Sequence, residues 1–359
     1  MKKFILLLAV SLLISACSNP ASGSGSSATS QSSSTSEPAP VSNYFEHWND
    51  CQSLTTLKTF VEKSKVEDTA DYVKPEDRIA VFDMDGTVFG ELFPTYLEYT
   101  MFVYRALEDP DYAPIAPADV VAVAEEIQEG APTHTYASDM AIRHGQAAAK
   151  AYAGMTLEEF ADYTVTFLQN PVPGFTGMNY ARAIFQPMID VVDYLHDSKY
   201  EVYIVSGSDR FLCREIVRDT LNIPDNHVIG MDVTLVATNQ GDTDGVDYQY
   251  TALDQIVRGD ELLIKNLKFN KVRAIAKEIG KQPVLSFGNT SGDQSMHMYT
   301  ITNNPNPSAA FMVVADDGER DYGGAKNDSL HEKWQGMGFH TFSMKNDWNT
   351  IYGDNVRKA

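Results

Sequence analysis

The chain is poor in cysteine and in positive charge, and both shortages narrow its function. Its 359 residues include three cysteines, of which Cys51 and Cys213 could pair in an oxidising compartment, although their spacing gives no geometry. Lysine and arginine total 28 against 49 acidic residues, and no basic stripe stands out. Nucleic acid is therefore a poor candidate partner. The acidic balance favours solubility and says little about the fold.

Metal-binding histidine motifs and membrane-length apolar runs are also missing. None of the eight histidines pairs with another at i, i+4 around a glutamate. The apolar run at residues 4–14 follows a basic start and is too short to span a membrane as a stable helix. Ser15-Ala16-Cys17 after this run resembles the lipobox of bacterial lipoproteins. The resemblance implies a signal peptide at residues 1–16, cleavage before Cys17 and lipidation of its thiol; the alternative is an ordinary secretory signal.

Serine, alanine, glycine, threonine and proline dominate residues 17–42. This composition predicts a flexible tether, which as a random coil reaches roughly 25–30 Å. With a lipid on Cys17, the tether would hold the body of the protein just off the membrane, outside the cytoplasm of a bacterial cell. We expect the folded part to begin at residue 43.

The most informative segment is an apolar run that meets two acids. Residues 79–82 are apolar and predict a buried strand, and Asp83 and Asp85 follow it directly. Carboxylates that lie close together repel each other unless a cation sits between them or one is protonated. In an open parallel sheet, ligands bind at this end of the strands. The alternative is an Asp-Gly turn without function.

Beyond the two acids the pattern changes twice. Residues 93–183 look mainly helical, with a capping box that begins at Thr156. Helical and extended patterns then alternate, with strands predicted at 202–205, 228–236, 283–287 and 311–314. This alternation predicts an α/β fold, a doubly wound parallel sheet with helices on both faces. We expect one core domain from residues 43–92 and 184–359, with the helical segment 93–183 inserted in it.

Several of these predicted strands end in polar loops. Ser206 offers a hydroxyl, and Gly207 allows its backbone N–H to approach a ligand. Residues 288–293 form a Gly-rich loop, and Lys268 and Lys271 lie three apart where a helix begins. Taken singly, such a loop is usually a turn and such a lysine a solvated charge. All of these segments together, in this order, indicate a phosphate-binding site much more specifically than any one of them does.

In that order they resemble the motifs of the haloacid dehalogenase superfamily. Residues 82–87 match the first motif and 205–207 the second; Lys271, or alternatively Lys268, matches the third, and 288–293 match the fourth. The resemblance implies a Rossmann-like core. The helical insertion is similar to the cap of the phosphoserine phosphatase-like branch, to which phosphorylcholine phosphatases also belong.

The resemblance implies hydrolysis of a phosphomonoester through an aspartyl-phosphate. Asp83 would be the nucleophile, and Asp85 would protonate the leaving alkoxide and then accept a proton from water. A dehalogenase lacks the second acid, so Asp85 favours a phosphatase or a phosphotransferase. The groups implied for binding the phosphoryl oxygens are Thr87, Ser206, Gly207 and Lys271.

The resemblance also implies a Mg²⁺ cofactor, since this ion takes hard oxygen ligands. Asp83, the backbone carbonyl of Asp85, and Asn289 or Asp293 would hold it. Asn289 departs from the pattern, because the branch usually has an acid there. An amide oxygen can bind Mg²⁺ but brings no charge, and Asp293 would then bind the ion directly rather than through water.

Substrate preference is expected from residues beyond the motifs. Glu91 is a candidate contact for a cationic amine, with a surface glutamate as the alternative. Arg210 is a candidate contact for a substrate carboxylate or phosphate, with an ion pair to a neighbouring acid as the alternative. Tyr96, Tyr99 and Tyr104 would form an aromatic wall or belong to the core. We therefore expect a small phosphorylated substrate, phosphoserine- or phosphorylcholine-like; the alternatives are a phosphotransferase of the same family, and a lipoprotein that binds a phosphorylated ligand without turnover. The sequence leaves the oligomeric state open.

Overall fold

A computed structural model describes residues 44–91, 94–323 and 328–359. The predicted signal peptide, the lipidation site Cys17 and the tether lie outside the described residues. All described residues belong to one compact unit. The predicted division into a core and an inserted domain at 93–183 therefore stays a prediction.

A seven-stranded sheet lies at the centre, in the order β5-β4-β3-β1-β6-β7-β8. All its neighbouring strands are parallel except β4 and β5, which are antiparallel. Two short strands, β2 and β9, pair separately. The strands are β1 (Ile79–Phe82), β2 (Phe175–Thr176), β3 (Glu201–Asp209), β4 (Val228–Ala237), β5 (Ile256–Ile264), β6 (Leu285–Gly288), β7 (Ala309–Val314), β8 (His340–Ser343) and β9 (Arg357–Lys358).

Helices cover both faces of this sheet, as the alternation of side chains along its strands requires. In β1, Ala80 and Phe82 pack into the large core on one face, whereas Ile79 and Val81 pack with Met296 on the other. The predicted doubly wound α/β fold is thereby confirmed. The α-helices are α1 (Gln52–Ser64), α2 (Leu97–Leu107), α3 (Ala118–Gly130), α4 (Met140–Ala151), α5 (Leu157–Leu168), α6 (Gln186–Asp197), α7 (Arg210–Val217), α8 (Phe269–Ala274), α9 (Gln294–Ile301) and α10 (Asp328–Gly336).

Helices α2 to α5 lie between β1 and β3 in the chain, and we call them the helical insertion. The capping box predicted at Thr156 is present, because its side chain accepts from the N–H of Glu159 while that carboxylate accepts from the N–H of Thr156. The segment before α5 also pairs with the outer edge of β5, through Gly154 and Met155. These bonds attach the insertion to the sheet and cover an exposed strand edge.

The segment at the start of the described chain pairs with a segment that follows β8. Trp48 forms a bridge with Trp348, and the backbone N–H of Asn49 donates to the carbonyl of Asp347 over 2.8 Å. The thiols of Cys51 and Cys213 are not joined. Among the described residues, no helix is both long and apolar enough to cross a membrane.

The strand pattern of the sequence missed β5 and β8. Strand β5 carries Arg258, Asp260 and Glu261 and has exposed apolar side chains, because it extends the sheet as an antiparallel edge. Such a strand lacks the continuous apolar run that marks the buried parallel strands. Strand β8 is only four residues long, which is too short for a periodic signal.

Candidate active site

The carboxyl ends of β1, β3 and β6 open into a cavity of about 190 Å³, which we call the site cavity. Because these strands are parallel neighbours, the loops that follow them meet at one edge of the sheet. Five carboxylates and two lysines are among the residues that line it. The sheet supplies one side of the site cavity, and the helical insertion supplies the other.

On the sheet side, Lys271 lies between two aspartates. Its ammonium forms ion pairs with Asp83 and, at 2.6 Å, with Asp293, and all three side chains are buried. Burial, and then the charge of Asp293, raise the pKa of Asp83 well above its ordinary value, against the opposing charge of Lys271. The sequence left Lys271 and Lys268 as alternatives; Lys271 is the one that reaches the aspartates.

Asp85 lies beside Asp83 with a different partner. The hydroxyl of Ser208 donates to Asp85 Oδ2 over 2.7 Å, whereas Asp85 Oδ1 is buried and has no hydrogen-bond partner among the described residues. Burial raises the pKa of Asp85 to about 7, helped by the charges of Glu98 and Glu91. A carboxyl with such a pKa can give and take a proton near neutral pH.

The loop after β6 brings Asn289 and Asp293 to the same place. The two backbone N–H groups at Asn289 and Thr290 donate to Asp293 Oδ2 over 3.1 and 3.0 Å, which fixes the loop. The amide of Asn289 donates to Glu91 over 2.7 Å, while its Oδ1 is buried and, in the described part of the chain, unpaired. Gly86, at φ +75°, makes room, because a Cβ there would lie 1.8 Å from the Asn289 amide nitrogen.

Some residues predicted for the site do not line the site cavity. Thr87 and Ser206 are fully buried and are not among the lining residues; the Ser206 hydroxyl accepts instead from the backbone N–H of Ser208 over 3.1 Å. The guanidinium of Arg210 forms ion pairs with Asp232 and Glu278, each at 2.7 Å, which is the alternative that its sequence position left open. Phosphoryl contact from Thr87 or Ser206 would thus need their surroundings to rearrange.

On the insertion side, the structure adds residues that the sequence did not indicate. Glu98 of α2 is buried, accepts from the ammonium of Lys265, and accepts from the backbone N–H of Asp209 over 3.2 Å. Arg258 of β5 binds Asp209 at 2.6 Å, and His144 of α4 lies 3.7 Å from Glu98. No motif marks these residues, because their partners are far apart in the chain.

A second cavity of about 390 Å³ adjoins the first, since Glu91 and Tyr96 line both. Asp321, Tyr322 and Phe185 line its other walls. The charge of Glu91, and then burial, raise the pKa of the Tyr96 hydroxyl, and burial raises the pKa of Asp321 to about 6. The shift at Tyr96 indicates a negative potential beside Glu91, whereas the shift at Asp321 reflects mainly its burial. Of the three tyrosines in the predicted aromatic wall, Tyr96 and Tyr99 line the site cavity.

The donor atoms at the site are hard oxygens. Across residues 44–91, 94–323 and 328–359, no three His, Cys, Asp or Glu side chains come together as a metal-binding group. The predicted ligand set has only two side-chain carboxylates, Asp83 and Asp293, and completes its shell with an amide and a backbone carbonyl. The unpaired Asn289 Oδ1 and the excess of acids fit a small divalent cation.

No family model and no curated protein sequence matches the chain. A protein of unknown function from Anaerococcus prevotii is 14% identical, with 84% of this chain and 94% of that chain covered and a TM-score of 0.50. A second protein of unknown function, from Bordetella pertussis, is 13% identical over 74% and 97% of the two chains, with a TM-score of 0.45. A phosphoserine phosphohydrolase-like protein from Francisella tularensis is 13% identical over 66% and 87%, with a TM-score of 0.36. The first likeness supports the fold alone, and the other two overlap too loosely to add to it.

Proposed function

We propose that this protein is a phosphomonoester hydrolase of the haloacid dehalogenase superfamily, in its phosphoserine phosphatase-like branch. One observation carries the proposal: Asp83 and Asp85 line the same small cavity but have different partners. Lys271 pairs with Asp83, and Ser208 holds Asp85. Two carboxyl groups in different surroundings are suited to two different tasks, as nucleophile and as acid.

In the proposed reaction the carboxylate of Asp83 attacks phosphorus. A bond from phosphorus to Asp83 forms as the bond to the alcohol oxygen breaks, and Asp85 gives its proton to that oxygen. Water then attacks the aspartyl-phosphate and passes a proton to Asp85, which frees Asp83 and inorganic phosphate. Lys271 and the backbone N–H of Gly207 would stabilise the phosphoryl oxygens during both steps.

Mg²⁺ is the proposed cofactor because the negative charge of the site cavity would repel a phosphate group. Five carboxylates and two lysines line the site cavity, so a phosphate dianion would enter against a negative excess. Asp83, the backbone carbonyl of Asp85, Asn289 and Asp293 would hold the ion. When bound, it would neutralise charge on the phosphoryl group.

The proposed substrate carries an ammonium group on its alcohol portion. Glu91 and Tyr96 form the boundary between the two cavities, and Asp321 lies beyond them, 7% exposed. Carboxylates and aromatic rings together bind ammonium and quaternary ammonium groups. A small phosphorylated metabolite such as phosphoserine or phosphorylcholine would place its phosphate in the site cavity and its cation in the adjoining one.

We further propose that the enzyme works outside the cytoplasm, anchored by lipid on Cys17. The lipobox-like sequence and the Ser-rich tether support this location. A phosphatase there would release phosphate from small esters outside the cell. Membrane fractionation of the native protein and of a Cys17→Ser variant tests the anchor, and equal release of both into the soluble fraction would contradict it.

The test of the proposed activity is phosphate release from a substrate panel. Phosphoserine, phosphorylcholine, glycerol phosphate, a nucleoside monophosphate and p-nitrophenyl phosphate are assayed with Mg²⁺ and with a chelator. We expect Mg²⁺-dependent release, with the ammonium-bearing esters preferred. Asp83→Asn should lower kcat by roughly 10³-fold or more, because the amide is not a nucleophile.

The matched control is Asp71→Asn, the same chemical change at a half-exposed residue that pairs with Lys63. It should keep the wild-type rate. Tight phosphate binding by folded wild-type protein without turnover would contradict the proposal and favour a ligand-binding lipoprotein. Transfer of the phosphoryl group to an added alcohol in preference to water would favour a phosphotransferase.

A further inference from the structure

The carboxyl group of Asp85 is held through one oxygen only. Ser208 donates its hydroxyl to Asp85 Oδ2 over 2.7 Å. Asp85 Oδ1 is buried and unpaired within the described ranges. An unpaired buried carboxyl oxygen costs free energy, so it usually marks a place where another group binds. The two oxygens of Asp85 are therefore not equivalent.

Ser208 is itself firmly placed. It lies at the end of β3, is 4% exposed, and donates its backbone N–H to Ser206 Oγ over 3.1 Å. Strand β4 approaches closely there because Gly230 has no side chain; a Cβ at that position would lie 2.6 Å from the Ser208 carbonyl oxygen. The Ser208 hydroxyl thus donates to Asp85 from the closely packed end of a strand and not from a loop.

We propose that Ser208 is the positioning residue for Asp85, and that Oδ1 is the oxygen that exchanges the proton. This inference rests on the proposed function. Ser208 fixes the carboxyl through Oδ2, so that Oδ1 faces the substrate. As the alcohol leaves phosphorus, the proton moves from Asp85 Oδ1 to the alcohol oxygen; as water attacks the aspartyl-phosphate, a proton from that water returns to Oδ1.

The role predicts a dependence on the leaving group. A p-nitrophenolate ion departs without a proton, whereas a phenolate or alkoxide of higher pKa departs more easily when it is protonated. Substituted phenyl phosphates differ little in size, so they separate proton donation from substrate fit. Values of kcat/KM report the step in which the alcohol leaves and exclude the later hydrolysis of the aspartyl-phosphate.

The experiment compares kcat/KM for phenyl phosphate and p-nitrophenyl phosphate in wild type and in Ser208→Ala. We expect the variant to lose about tenfold more activity toward phenyl phosphate than toward p-nitrophenyl phosphate, part of the loss that a missing general acid causes. Asp85→Asn should show the same pattern more strongly. Ser208→Thr keeps the hydroxyl and should restore the wild-type ratio.

The matched control is Ser64→Ala, a buried serine that bonds to Tyr200 over 2.7 Å away from the site. Its ratio should equal that of wild type. Equal losses toward both esters in Ser208→Ala, or no rescue by threonine, would overturn the positioning role while leaving the phosphatase proposal intact. A wild type inactive toward every ester would overturn both.

Discussion

The site cavity has two buried lysines, which the protein uses in different ways. Lys271 lies between Asp83 and Asp293, and both aspartates come from loops at the end of the same sheet. Lys265 pairs with Glu98, which belongs to α2 of the helical insertion. The first lysine therefore balances charge within the sheet edge, whereas the second connects the insertion to the sheet.

The two lysines therefore differ in role: Lys271 belongs to the proposed reaction centre, whereas Lys265 holds the helical insertion against the sheet. Around Lys271 two carboxylates lie within reach of one ammonium, and removal of the lysine would leave two buried acids close together without a cation. Around Lys265 the partner carboxylate also accepts from the backbone N–H of Asp209, so Glu98 has a second partner. We therefore expect substitution of Lys271 to abolish phosphate release, and substitution in the Lys265–Glu98 pair to lower it only in part.

The largest effect is expected from Lys271→Met. Two buried acids lose their shared cation, which should lower the free energy of unfolding by about 3–5 kcal/mol and abolish phosphate release. Added Mg²⁺ should recover part of the stability, because a cation would again lie near Asp83 and Asp293. Denaturant titration with and without Mg²⁺, beside activity assays, measures both effects.

Lys268→Met is the matched control for that experiment, since Lys268 lies three residues away and is not among the residues that line the site cavity. It should retain the activity and the stability of wild type. If Lys268→Met were the inactive variant and Lys271→Met the active one, the assignment of the two lysines would have to be exchanged.

A smaller effect is expected from Glu98→Gln. The amide still accepts from Asp209 but leaves Lys265 without its charged partner, so unfolding should become easier by about 1–3 kcal/mol. Turnover should fall less than in Lys271→Met, because neither residue contacts Asp83. A double-mutant cycle with Lys265→Met should give a coupling of about 0.5–3 kcal/mol. Additive effects of the two substitutions would mean that the pair does not connect insertion and sheet.

The last effect depends on pH and not on the chemistry of the site cavity, and it concerns Asp321 of the adjoining cavity, which contacts neither Lys271 nor Lys265. Burial raises its pKa to about 6. The folded protein therefore binds this proton more tightly than the unfolded chain does, and the stabilisation is fully present below about pH 4 and lost as the pH rises through about 6. Asp321→Asn does not titrate, so relative to wild type it should become more stable by up to about 3 kcal/mol between pH 4 and pH 8.

Unfolding midpoints of wild type and Asp321→Asn at several pH values measure this difference. The amide can still accept from the backbone N–H of Tyr322, which bonds to the present carboxylate over 2.8 Å. A difference that stayed constant between pH 4 and pH 8 would show that Asp321 does not titrate in this range, and would remove it from the argument for a cationic substrate group.

The sheet side of the site was predictable because it obeys a rule of position. Asp83 and Asn289 directly follow β1 and β6, and Gly207 lies in the last three residues of β3; the carboxyl ends of these parallel strands meet at one edge. Buried parallel strands read as apolar runs, so their ends can be located in the sequence. The helix start left two candidates for the phosphate-binding lysine, Lys268 and Lys271. Only the burial of Lys271 against Asp83 distinguished them.

Strand position alone did not predict which serine of β3 lines the site cavity. Ser206 and Ser208 lie two apart on β3, so strand alternation places both on the same side. The pairing of β3 with β4 shifts register between Val205 and Asp209, and in the structure it is Ser208 that lines the cavity. This register shift cannot be predicted from the residue types or their spacing, because it depends on how β3 and β4 pack against each other.

By itself the sequence determined the class of the fold, the positions of five of its strands along the chain, and the pair of acids that follows the first strand. These depend on local apolar patterns and on the rule that parallel strands share an edge. Only the tertiary structure decided that Glu98 pairs with Lys265, that Asp321 borders an adjoining cavity, and that Ser208 holds Asp85. Those contacts join residues far apart in the chain, and no local pattern encodes which distant side chains will share a buried, water-poor space.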